Sequence, residues 1–202
     1  MKAETIQNAQ VSSITTHSRR VTVSYGFWLF IISDIILFAS LFATYGVLRE
    51  ATNGGPTEVD LFDLTHVGLE TTLLLLSSFT CGLSSIATTA GKVKLTQLFL
   101  LITIILGGAF VFLELQEFNE MINKGAVPQK SAFLSAFYLL VGCHGLHVSF
   151  GIIWAILIII MFQRKGFTPT NCSRLFVFSL FWHALDIVWV GVFTIVYLIG
   201  VI

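Results

Sequence analysis

Charge is scarce in this chain. Asp, Glu, Lys and Arg together supply 11% of the 202 residues, against 55% hydrophobic types. A water-soluble domain of this size would lack the charge to cover its surface, so the composition excludes that class and indicates an integral membrane protein. Net charge is zero and no basic run occurs, which argues against nucleic acid as a partner. Cysteine is sparse too. Cys81, Cys143 and Cys172 form no Cys-x-x-Cys pair, so disulfides are not expected and all three read as small packing residues. A cleavable signal is not expected either. Arg19 and Arg20 precede an apolar segment, but it is too long for a signal h-region, carries Asp34 and lacks a small-residue cleavage site, so it reads as a retained anchor.

What the chain has in quantity is long apolar stretches. A helical span needs about 20 predominantly apolar residues, and five stretches qualify, at about 25–48, 66–90, 95–118, 132–162 and 172–199. The fold expected is all-α: a single membrane bundle of five transmembrane helices over residues 25–202, preceded by a polar cytoplasmic tail, 1–24. No room remains for a soluble catalytic domain. Lys2, Arg19, Arg20, Lys92, Lys94, Arg164, Lys165 and Arg174 fall on one side, and only Arg49, Lys124 and Lys130 on the other. The positive-inside rule then places the N-terminus in the cytoplasm and the C-terminus in the periplasm. Asn53-Gly54-Gly55-Pro56 marks a turn in the first outer loop, and Pro128 breaks the third connection.

Within these spans stand the ionisable residues Asp34, Glu70, Glu114, His144, His147, His183 and Asp186. Each costs roughly 2.5–3.5 kcal/mol at membrane depth on insertion scales, so each is expected to face protein or a polar cavity. At about 1.5 Å per helical residue, Asp34, His147 and Asp186 fall near the midplane. His183 lies slightly to the cytoplasmic side, His144 slightly to the outer side, and Glu70 and Glu114 in the outer third. Helical phase groups His144, His147, Gly151 and Trp154 into one stripe. It also groups His183, Asp186, Val190, Phe193 and Tyr197, and separately Asp34, Phe38, Leu41 and Tyr45, all expected to face inward. Gly145 with Ser149, and Ser78 with Gly82, have the small-xxx-small spacing of close helix contacts. The polar set admits three functional readings. It is a metal or haem site of His144, His147, His183 and a carboxylate, a proton or ion path through Asp34, Glu70, Glu114 and Asp186, or the mark of an interaction subunit. The last is compatible with a purely structural set of His–carboxylate and His–backbone hydrogen bonds holding the helices in register.

The segments Gly26-Phe27-Trp28, Ile32-Ser33-Asp34, Glu114-Leu115-Gln116-Glu117-Phe118, Gly142-Cys143-His144-Gly145-Leu146-His147 and Phe181-Trp182-His183-Ala184-Leu185-Asp186-Ile187-Val188-Trp189 resemble a known family. From Gly26 to the C-terminus the chain is similar to subunit III of the haem-copper respiratory oxidases, most closely its five-helix branch in cytochrome bo-type ubiquinol oxidases. That resemblance implies a subunit without a catalytic centre, cofactor or metal of its own. Haems and copper are expected in the partner catalytic subunit I, with subunit II, a small subunit IV and membrane phospholipids as further partners, in the bacterial inner membrane. The whole complex would oxidise ubiquinol, reduce dioxygen to water and pump protons, and this chain would support assembly, turnover stability and proton uptake. Glu70 aligns with the family's membrane carboxylate. The two N-terminal helices that seven-helix relatives use to form a lipid cleft have no counterpart among the five expected spans, so the full cleft is not expected. The alternatives are a subunit III-like partner of a nitric oxide reductase or a cytochrome c oxidase, or an autonomous proton-coupled carrier.

Overall fold

The structure, a computed structural model, describes residues 2–54 and 64–201. Gly55 and Pro56 of the expected first-loop turn lie outside the described residues; Asn53 and Gly54 have the left-handed backbone of a turn, φ 51° and 70°. Among the described residues there is no strand, and five helices are long and apolar enough to cross a membrane, the number the apolar stretches predict. They are α1 (Lys2–Leu48), α2 (Leu64–Thr89), α3 (Val93–Asn123), α4 (Ala132–Lys165) and α5 (Pro169–Val192). A π-helical segment, Phe193–Leu198, and a last turn, Ile199–Val201, continue α5.

Local chemistry sets the boundaries. Between α2 and α3 the chain reverses at Gly91, φ 72°, a conformation that costs an L-residue roughly 1–2 kcal/mol. There the N–H groups of Gly91 and Lys92 donate to the carbonyls of Thr88 and Ala87, both at 3.0 Å, satisfying the last carbonyls of α2. Ser131 caps α4 by accepting from the Leu134 N–H at 3.1 Å, and Thr168 caps α5 by accepting from the Asn171 N–H at 3.2 Å, with Pro169 at the first helical position.

The chain divides into two compact units, Met1–Ile36 and Leu37–Ile202. The first lies within α1. In the second, α2 packs on α3, α3 on α4, α4 on α5, and α5 back on α2, so four helices close a ring. The last turns of α1 also belong to this unit. Phe38 meets the rings of His144 and His147 at 6.4 and 5.2 Å, and Tyr45 meets Phe133 at 6.1 Å.

Side chains of α5 and its continuation fill the middle of the ring. Trp182 donates its indole N–H to Ser77 Oγ of α2 at 3.1 Å, while its ring lies against Gly107 of α3 and Gly151 of α4. Trp189 repeats the arrangement one layer along. Its N–H donates to Thr71 Oγ1 of α2 at 3.1 Å, and its ring meets Phe110 of α3 at 4.6 Å and His144 of α4 at 5.0 Å. Tyr197 forms a third layer, donating to Glu117 of α3 at 3.0 Å and meeting Phe137 of α4 at 6.0 Å. Seven residues turn an α-helix to within about 20° of the same direction, but eight overshoot by about 80°. Trp189 and Tyr197 are eight apart, and the π-helical segment absorbs the extra residue so that Tyr197 still points inward.

This geometry corrects one expected stripe. Val190 is 43% exposed, and His183 and Asp186 are half-buried. The buried ridge of the fifth helix is instead Trp182, Leu185, Trp189, Val192 and Val196. The two indoles, the largest apolar volumes of the helix, take the centre because their N–H groups find hydroxyl acceptors there.

Candidate functional site

Two polar clusters emerge in the second unit. The first joins α2, α3 and the continuation of α5. Glu114 and Glu117 are one helical turn apart and so share a face of α3. Glu70, on α2, lies within electrostatic reach of both. All three carboxyl groups are buried, at 0, 2 and 8% exposure for Glu70, Glu114 and Glu117. Tyr197 satisfies Glu117. His66 Nδ1 stands 3.6 Å from Glu70 Oε1, longer than a hydrogen bond. Among the described residues, neither carboxyl oxygen of Glu70, nor Glu114 Oε1, has a hydrogen-bond partner. Glu114 fits because Gly145 of α4 has no side chain; a β-carbon there would lie 2.7 Å from the Glu114 carboxyl carbon. Gly145 therefore makes room for a carboxyl group, a different use from the backbone approach its spacing suggests.

The second cluster lies on the α2–α5 face. Ser78 Oγ and His183 Nδ1 share a hydrogen bond at 2.6 Å, and Asp186, one turn along, interacts with both. Gly82 lies beside the same imidazole, where a β-carbon would stand 3.9 Å from its ring. His183 and Asp186 are half-buried, and Phe79 and Ile187, the sequence neighbours of Ser78 and Asp186, are 65 and 73% exposed.

The other candidates join neither cluster in the same way. His144 is fully buried and donates from Nε2 to the Leu185 carbonyl at 3.3 Å, which ties α4 to α5. His147 donates from Nδ1 to the Cys143 carbonyl of its own helix at 2.7 Å. Asp34 belongs to the first unit and is half-buried. The three intramembrane histidines thus commit ring nitrogens to three separate partners and do not converge on one point. Among the described residues, no group of three or more His, Cys, Asp or Glu is arranged to hold a metal ion.

Glu117 is the member of the acidic cluster that sequence reasoning passed over. Its spacing from Glu114 was a usable signal, but its partner Tyr197 is 80 residues away and enters only through the π-helical segment.

Comparison with known proteins gives a consistent picture. Residues 3–201 match the family described as cytochrome c oxidase subunit III. The chain is 47% identical over 176 residues to cytochrome bo(3) ubiquinol oxidase subunit 3 of Pseudomonas aeruginosa, covering 87% of this chain and 84% of that one. It is 45% identical to quinol oxidase subunit 3 of Bacillus spizizenii, with 87 and 86% coverage. It is also 42% identical to cytochrome c oxidase subunit 3 of Bacillus sp. (strain PS3), covering 100% of this chain and 97% of that one.

Proposed function

Since this chain belongs to the cytochrome c oxidase subunit III family, we propose that it serves a proton-pumping ubiquinol oxidase that reduces dioxygen to water. It is an accessory subunit of a respiratory terminal oxidase. The relatives from Pseudomonas and Bacillus spizizenii, named as ubiquinol and quinol oxidase subunits, support quinol as the electron donor. Cytochrome c as donor is the second reading, favoured by the relative from Bacillus sp. (strain PS3) that covers the whole chain. In this proposal the haems and copper reside in catalytic subunit I, with subunits II and IV as further partners. The complex sits in the bacterial inner membrane with this chain's N-terminus in the cytoplasm.

One observation carries the accessory reading to a surface: the half-buried His183–Asp186–Ser78 cluster near the middle of the last span, among outward apolar side chains. Polar groups at that depth are costly in hydrocarbon, so a partner helix is the favourable cover. Docking through the α2–α5 face would meet that need. The buried carboxyl cluster and His144 then serve the bundle's own register, and Asp34, Glu70 and His147 have no step of electron transfer to perform.

The test is quinol-driven oxygen consumption followed over many turnovers, with pumped protons counted, for complexes with and without this chain. Activity that starts normally and then decays, or proton delivery that slows, is the expected outcome. Immediate and complete loss of electron transfer in a fully haem-loaded complex lacking only this chain would overturn the reading. Substituting reduced cytochrome c for ubiquinol separates the two donors.

A further inference from the structure

His66 stands in the first turn of α2, at the boundary of the span, and Glu70 follows it by one turn on the same face. The imidazole is 33% exposed and the Glu70 carboxyl group fully buried, with Nδ1 3.6 Å from Oε1. Glu70 enters a space shared with Glu114 and Glu117 of α3 and Tyr197 of the α5 continuation, all within electrostatic reach of one another. Glu120 of α3 and Tyr138 of α4 lie within reach of Glu117, and Tyr138 donates its hydroxyl to the Ala126 carbonyl at 3.0 Å. Among the described residues, no lysine or arginine pairs with the three buried carboxyl groups. Three unpaired negative charges cannot share one buried volume, so the cluster holds protons. Both oxygens of Glu70 and one of Glu114 lack a hydrogen-bond partner, and buried acceptors of that kind call for a proton or a water from outside.

The surroundings of the cluster differ at its two ends. Toward the α2–α3 connection, one turn from Glu70 and from Glu114, stand Leu74 and Phe110, 1 and 0% exposed, and Trp189 packs on Phe110 at 4.6 Å. The neighbouring hydroxyl of Thr71 is committed, donating to the Val67 carbonyl at 2.9 Å and accepting from the Trp189 N–H at 3.1 Å. That floor offers a proton no carrier. At the other end, where α2 starts and α3 ends, His66 is the partly exposed group beside Glu70. Imidazole suits a relay because it can take a proton on one ring nitrogen and release another from the second. We propose that His66 is a proton relay joining the Glu70–Glu114–Glu117 cluster to the aqueous phase at the end of the bundle where α2 starts, and to that phase only. A proton from water binds Nε2, the Nδ1 proton passes to the Glu70 carboxylate, and the imidazole is left neutral in its other tautomer. A small ring rotation closes the 3.6 Å gap to hydrogen-bond distance. Closed at its other end, the site stores a proton and carries none across the membrane. It is therefore distinct from a transmembrane path through Asp34 and Asp186, and it depends neither on the oxidase role nor on the electron donor.

The experiment reads the chain's own carboxyl groups, so it can fail while the oxidase role stands. Infrared spectroscopy of the full-length protein follows the carboxylic-acid C=O band, and the part lost in Glu70→Gln belongs to Glu70. In nanodiscs moved from light to heavy water, His66→Ala should slow deuteration of that part by at least about tenfold. Imidazole added to the buffer should restore the rate. His66→Gln, which keeps a polar side chain but cannot relay a proton, should exchange as slowly as His66→Ala. In vesicles with the start of α2 facing outward, a pH step outside should change the band and a step inside should not. Deuteration at the unsubstituted rate in either variant, or an equal response to pH on both sides, would overturn the proposal. A spectrum without a C=O band that Glu70→Gln removes would overturn it too, and so would slow exchange that imidazole cannot rescue, since His66 would then be a packing residue.

Discussion

Gly107 and Gly151 are required by their neighbour. A β-carbon at Gly107 would lie 2.9 Å from the Trp182 ring, and one at Gly151 would lie 2.8 Å from it. These contacts are too short for either atom, and the indole is held by its hydrogen bond to Ser77. Gly107→Ala and Gly151→Ala are each expected to destabilise the bundle by about 1–3 kcal/mol, the usual range for overpacking. The double substitution should not be additive, since both press on one ring. Gly108 is the internal control, because a β-carbon there meets nothing within 4 Å. Gly108→Ala should be neutral or slightly stabilising through helix propensity. Unfolding in mixed micelles measures all three, and an effect at Gly108 as large as at Gly151 would refute the packing account.

At the scale of the element, α5 and its continuation organise the bundle because Trp182 and Trp189 each reach α2, α3 and α4, and Tyr197 reaches α3 and α4. Register along it follows from two spacings: seven residues from Trp182 to Trp189, and eight from Trp189 to Tyr197 with the π-helical segment between. Deleting exposed Ile195 would leave seven residues in the second interval. The segment can then close into ordinary α-helix with Tyr197 still inward, so the melting temperature should change little. Deleting Val188 removes a residue from an interval that is already in phase. It rotates one indole out of the core by about 100° and should prevent stable folding. Equal damage from both deletions would show that the π-helical segment is not what keeps Tyr197 in place.

For the whole molecule, the two polar clusters separate internal stability from association. Glu70, Glu114 and Glu117 are sealed inside, whereas His183 and Asp186 sit half-buried on the α2–α5 face. Asp186→Leu is expected to leave the chain folded, with a modest change in its own melting temperature, but to reduce its retention in the purified oxidase severalfold. Once a partner covers the face, removing one member of the then buried, hydrogen-bonded polar set typically costs a few kcal/mol of the association. The haem spectra of the catalytic subunit should remain normal. Full retention of the Asp186→Leu chain after detergent washing would place the docking face elsewhere.

Composition determined the solvent, and the length and number of the apolar runs determined the helix count, because each run is long enough for a helical span that satisfies its own backbone within lipid. The recurrence of Trp, His and Asp near its end also carried the family resemblance. Periodicity correctly put Phe38, Tyr45, His144 and Gly151 in the interior. It failed on the last helix, where His183, Asp186 and Val190 share a helical phase that faces partly outward. Phase fixes which residues share a face but not which face is buried. That choice depended on where two indoles could find both volume and a hydroxyl acceptor, supplied by Ser77 and Thr71 some hundred residues earlier. The pairing of Glu117 with Tyr197 had the same origin. Only tertiary structure brings α3 beside the end of α5, and only a local change of helical pitch turns the phenol toward the carboxyl group.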